Sequence, residues 1–197
     1  ESLADEHTSN LKRQLKSIEQ KDIKIVADLI RKSHNGLITI GPGNFSNSFF
    51  SNLENFSTKF SLPIFADASS GLRFISKPLS NLINNYDTLI RSETFSKIFC
   101  PKFVIHFGRT LTSQKLQDFY SEVKPKGFII NRFGDLYDPT RKFKVWQTCE
   151  ELFIEYLIKS ADVKQNDFSP QLKNLRYLDS TIEKIEFARV QMILIKE

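Results

Sequence analysis

Cysteine is nearly missing: Cys100 and Cys149 are the two in 197 residues. They stand far apart, with no C-x-x-C and no neighbouring histidine. That argues against a disulfide scaffold or a cysteine zinc site and fits a reducing, cytoplasmic compartment. Long apolar runs are missing too. None approaches the roughly 20 residues that span a bilayer, and the longest near the C-terminus, Val190 to Ile195, is broken by Gln191. The polar start at Glu1 shows no signal-peptide pattern, and a first residue other than Met suits a piece of something longer. Basic residues outnumber acidic ones by 28 to 23, a net charge of +5, but they are scattered. A nucleic-acid surface would gather them into a stripe with interleaved aromatics, so no nucleic-acid partner is expected. There is no Walker A pattern and no G-x-S-x-G turn, and His7, His34 and His106 sit far apart. No catalytic residue and no metal-ligand set is assigned.

What remains suits one soluble domain with a real core: 40% of the residues are hydrophobic and 26% charged. Ser9 or Asn10 opens a first polar helical segment, and Asp22 caps a second in which Ile23, Val26, Ala27 and Ile30 form one stripe. Strand signals follow at Leu37–Ile40, Pro63–Ala66, Phe103–Phe107 and Phe128–Ile130, with a weaker fifth at Lys142–Trp146. They are apolar on both faces, as strands covered by helices on both sides must be. Between the first two lies Phe45-x3-Phe49-x3-Leu53-x2-Phe56-x3-Phe60, a helical stripe read as core rather than as an aromatic box. Leu152, Phe153, Tyr156 and Leu157 make another helix face, and Trp146 and Tyr137 read as packing groups. The expected fold is α/β, a three-layer sandwich with a mostly parallel sheet. Residues 1–35 form a helical segment leading into the core, 36–160 the central α/β domain, and 161–197 a linker and helical extension. The stretch Val190–Ile195 suits either a helix packing back or the first strand of a neighbouring unit.

Chemistry gathers at one junction. The strand Phe103–Phe107 ends at Gly108, and Thr112 can cap a helix whose apolar face is Leu116, Phe119, Tyr120 and Val123. Arg109, Thr110, Thr112, Ser113 and Lys115 crowd the turn. A helix start offers unpaired N–H groups and a positive dipole end, so hydroxyls and cations there make an anion cradle; the plainer reading is a β-to-α turn with solvated charges. Asp67 follows the second strand at the carboxyl edge, where open α/β sheets bind ligands. Ser69, Ser70 and Arg73 follow it, and Arg91 and His106 are further ligand-edge candidates; as plain structure these are a polar loop and an interior histidine. Gly41-Pro42-Gly43-Asn44 occupies the dinucleotide position. It lacks the G-x-G-x-x-G/A fingerprint, with Ser46 at the third-glycine place, and Pro42 removes an N–H, so it is read as a turn.

In order, LITIGPGN (37–44), LPIFADASSGLR (62–73), YDTLIR (86–91), FVIHFGRTLTSQKL (103–116) and GDLYDPTRK (134–142) resemble the central domain of the SEPHCHC synthases (MenD), over about residues 22–159. The resemblance implies a dinucleotide-binding-like fold that has lost that role. It also implies an enzyme that decarboxylates 2-oxoglutarate on thiamine diphosphate and adds the product to isochorismate, in menaquinone or phylloquinone synthesis. It places substrate contacts at Arg109, Thr112, Ser113, Gln114 and Lys115, from the matching loop and helix start. This sequence departs from the family at Gln114, where a lysine is common, and at His106, where an arginine is common. Adjacent helix positions point about 100° apart, so Lys115 replaces that lysine only from another direction. Thiamine diphosphate and Mg²⁺ are implied for the full-length enzyme, bound by other domains; this stretch has Gly134-Asp135-Leu136 in place of their Gly-Asp-Gly motif. Expected partners are the two acidic substrates, the flanking domains and further copies of the chain, with no membrane insertion. The alternatives are a regulatory module binding an acidic metabolite through Arg73, Arg91 and Arg109, and a nucleotide-binding module.

Overall fold

In a computed structural model, residues 20–33, 35–72, 75, 77–132, 142–160 and 169–194 are described. The elements in chain order are α1 (Gln20–Lys32), β1 (Gly36–Ile40), α2 (Asn47–Phe60), β2 (Ile64–Ala66), α3 (Tyr86–Leu89), α4 (Phe95–Ile98), β3 (Phe103–Phe107), α5 (Gln114–Val123), β4 (Lys126–Ile130), β5 (Lys144–Trp146), α6 (Glu150–Ser160) and α7 (Pro170–Leu194). The strands form one sheet in the order β2-β1-β3-β4-β5. Every ladder is parallel, with Ile38 opposite Ile64 and Ile105, and Ile105 opposite Phe128.

Strand alternation sorts the side chains onto two covered faces. Ile38, Ile40, Ile105 and Phe107 pack under α1, α2 and α6. Leu37, Phe65 and Val104 pack under α3, α4, α5 and α7. The result is the three-layer α/β sandwich. The stripe on α2 is core: Phe49, Leu53 and Phe56 are fully buried, each worth roughly 1.5–3 kcal/mol. Trp146 stacks on Phe128 at 5.4 Å. Ile23, Val26, Ala27 and Ile30 bury the α1 stripe. The first polar helical segment, His7, His34, Arg73, Tyr137 and Gly134–Leu136 lie outside the described residues.

The C-terminal alternatives resolve to helix through Leu194. Leu172 and Leu175 on α7 are buried, and the Asp179 carboxylate accepts the backbone N–H groups of Asn84 and Asn85 at 3.1 and 2.7 Å. Residues 183–189 are exposed all round. Among the described residues, no helix is long and apolar enough to cross a membrane.

Candidate functional site

Strand order reverses between β1 and β3, and open α/β sheets bind ligands in the crevice outside the carboxyl ends at such a point. Here the chain fills that crevice itself. The Arg109 N–H donates to the Pro42 carbonyl at 2.9 Å, and the Arg109 carbonyl lies so close to Gly41 that a Cβ there would meet it at 1.8 Å. Gly41 is needed for this approach. Gly108 turns the chain at φ 85°, in the left-handed region, and its carbonyl accepts from buried Asn131 Nδ2 at 3.2 Å.

His106 holds the same turn from beneath. It is 4% exposed, with Nε2 2.8 Å from the Arg109 carbonyl and Nδ1 3.0 Å from Thr39 Oγ1. A carbonyl can only accept, so Nε2 carries a proton, and Nδ1 pairs with the Thr39 hydroxyl. His106 is thus a satisfied interior residue. Tyr120 lies on the same face, and burial pushes its phenol well up.

Both long helices that begin at this edge after β1 and β3 lack acidic residues in their first turns but meet carboxylates from other elements there. At α2 the cap is Ser46, which accepts from Phe49 N and donates to Glu151 Oε1. At α5 the cap is Ser113, one residue later than expected from sequence, accepting from Leu116 N at 3.3 Å. Thr112 is drawn off instead by Asp67, whose Oδ2 accepts the Thr112 N–H at 3.1 Å and hydroxyl at 2.5 Å. Asp67 Oδ1 takes the Ser69 N–H at 3.0 Å and hydroxyl at 2.6 Å. Burial alone would raise the Asp67 carboxyl, but these bonds from Ser69 and Thr112 outweigh it and hold it below the usual range. Ser70 closes the loop by donating to the Asp67 carbonyl at 2.6 Å. A second carboxylate, Asp87, accepts the Ser113 hydroxyl at 2.7 Å and binds Arg91 through Nε and Nη2 at 3.1 and 2.8 Å.

Of the ligand-edge candidates, Asp67 meets the β3–α5 turn, Ser69 and Ser70 bond to Asp67 within their own loop, and Arg91 reaches the turn through Asp87. The Ser69, Ser70, Thr112 and Ser113 hydroxyl protons are spent within this network. Arg109 and Lys115 are exposed at either end of the turn, and Gln114 Nε2 donates to Asp118 at 3.2 Å along the helix surface. Among the described residues, clefts of about 560 and 380 Å³ lie elsewhere, beside Asn47, Glu54 and Leu79 and beside Asn84 and Glu183.

The sequence reading did not single out Asp87, Asn131 or the Arg132–Glu150 pair. Glu150 is 1% exposed and accepts from Arg132 Nε at 2.6 Å. A charged residue at a strand's carboxyl end was the available signal for Arg132; its partner follows β5 and is found only through the fold. Among the described residues, no group of three or more His, Cys, Asp or Glu is placed to hold a metal ion.

No protein-family model matches the chain. The curated 2-succinyl-5-enolpyruvyl-6-hydroxy-3-cyclohexene-1-carboxylate synthase of Crocosphaera subtropica is 28% identical over 176 residues, 82% of this chain and 30% of the relative. Those of Synechocystis and Myxococcus xanthus are 26% identical over 76% and 54% of this chain, and 24% and 18% of their own lengths. The chain spans less than a third of the length of these relatives. The chain is therefore similar to one segment of the SEPHCHC synthases and is built around an all-parallel sheet covered by helices.

Proposed function

We propose that this chain is the central, substrate-pocket domain of a SEPHCHC synthase, an enzyme that decarboxylates 2-oxoglutarate on thiamine diphosphate and adds the product to isochorismate. The observation that carries the reading is the similarity to those synthases across 82% of the chain. The geometry supports it at the β3–α5 turn, where Arg109 and Lys115 face solvent around a fixed helix start.

Both substrates carry two carboxylates. Arg109 supplies a forked guanidinium that binds a carboxylate through two N–H groups, and Lys115 a point charge. Thr112, Ser113 and Gln114 shape the helix start between them. With the Thr112 and Ser113 hydroxyls donating to Asp67 and Asp87, the cations do the gripping. The chain's own residues do not fit a diphosphate: Glu151, Asp67 and Asp87 stand at the helix starts, and the Arg109 backbone fills the crevice between β1 and β3. Thiamine diphosphate and Mg²⁺ accordingly belong to other domains of the longer enzyme, and the 197 residues alone are not catalytic. Further copies of the enzyme and its flanking domains are the expected macromolecular partners, in the cytoplasm.

Arg109→Ala and Lys115→Ala in the full-length enzyme are expected to raise KM for 2-oxoglutarate or isochorismate by about 10-fold each, the loss of one charge-assisted bond, with the fold intact by circular dichroism. Unchanged KM for both substrates would remove the two residues from the site.

A further inference from the structure

Asp67 stands where such a sheet offers ligand-binding groups, yet it is 4% exposed and its two oxygens are divided. Oδ1 serves its own loop through Ser69, and Oδ2 serves the β3–α5 turn through Thr112, 45 residues away in sequence. Four donors fill it, leaving no open position for a substrate proton. The other end of the turn is also held, by His106 and Pro42 on Arg109 and by Asn131 on Gly108. Between these fixed ends lie Arg109 to Thr112, and α5 with Lys115 begins directly afterwards.

We propose that Asp67 is a positioning residue for dicarboxylate binding: by pinning Thr112 it presets the start of α5, and so the place where Lys115 meets a substrate carboxylate. This rests on the reading of the turn as a substrate grip. Preset geometry removes the cost of ordering a loop when the ligand arrives. A carboxylate suits the task because it has two acceptors. The amide of Asp67→Asn would offer one oxygen, and its NH₂ group would confront an N–H on the other side, so one of the two attachments is lost.

The test is a mutant cycle in the full-length enzyme with Asp67→Asn, Lys115→Ala and the double variant. Asp67→Asn is expected to raise KM for the same substrate as Lys115→Ala, by about 10-fold with little change in kcat, and to add less than about 2-fold on top of Lys115→Ala. Full additivity of the two changes overturns the proposal. Leu175→Ala, a core deletion on α7, controls for lost stability; an equal KM rise there also overturns it. If Lys115→Ala and Arg109→Ala leave both KM values unchanged, the substrate-grip reading fails and the positioning role fails with it. The pin itself is then read separately by amide hydrogen exchange on the 197-residue chain. Asp67→Asn should speed exchange at Thr112 and the first turn of α5 while Ile38 and Ile105 keep their protection, and unchanged exchange at Thr112 refutes the pin. Should Asp67→Asn fail to fold, Thr112→Val removes the hydroxyl half of the contact and is held to the same outcomes.

Discussion

A buried carboxylate that accepts four hydrogen bonds, two at each oxygen, must give up bonds at one oxygen when that oxygen is protonated. The Asp67 carboxyl sits below its ordinary value of 3.8 in the folded chain, so its contribution to stability is complete above that value and is lost as the pH falls through the lower, folded one. Urea denaturation of the wild type and Asp67→Asn should therefore show a gap at pH 7 that narrows below about pH 3.8; a gap constant to about pH 2.5 would mean Asp67 does not carry it. The position of Asp67 at the carboxyl edge was legible in the sequence, because it directly follows the last residue of β2. The sequence could not say that Thr112 would claim it. Strand ends are local and periodic, whereas a contact across 45 residues exists only once two loops have been brought together. The same holds for Ser113 and Asp87, whose bond makes a sequence-chosen hydroxyl part of the scaffold.

Elements were the most legible level. Phe103–Phe107 has the same bounds in sequence and structure, being apolar, short and closed by glycine. The start of α5 moved by one residue because two consecutive hydroxyls, Thr112 and Ser113, could each cap it. Ser113 takes the extended cap conformation, φ −71° and ψ 108°, once Thr112 is bound elsewhere. The turns after β1 and β3 show the limit of reading elements separately. Read separately, each is a strand-to-helix turn; together they interlock, with the Arg109 carbonyl against Gly41. A methyl group at Gly41 would meet the Arg109 backbone carbonyl at 1.8 Å and the hydrogen-bonded His106 ring at 3.0 Å, neither of them the far end of a flexible side chain. Gly41→Ala should cost about 1–3 kcal/mol, measured from the denaturation midpoint, and should speed exchange of the Arg109 amide. A neutral substitution would show that the two turns are not in contact.

At the scale of the whole molecule, the sheet order is that of a nucleotide-binding fold, while the edge that would receive the nucleotide is sealed. Calorimetric titration with NAD or FAD should give no saturable heat at millimolar ligand; saturable binding would show that the crevice opens and would revive the nucleotide reading. The α/β layering was readable from strands apolar on both faces. The sealing was not, since it depends on which neighbours a strand acquires, and β1 lies beside β3 rather than beside β2 alone.

That neighbour relation also governs how the chain finds its fold. With every ladder parallel, no two strands can meet through a tight hairpin. Thr39 must locate His106, 67 residues further along, before the central pair of the sheet exists. Closing so large a loop loses chain entropy before any ladder contact repays it. Folding is thus expected to be slow for the chain's length, helices preceding sheet, with unpaired apolar strands open to association with other chains until the central pair forms.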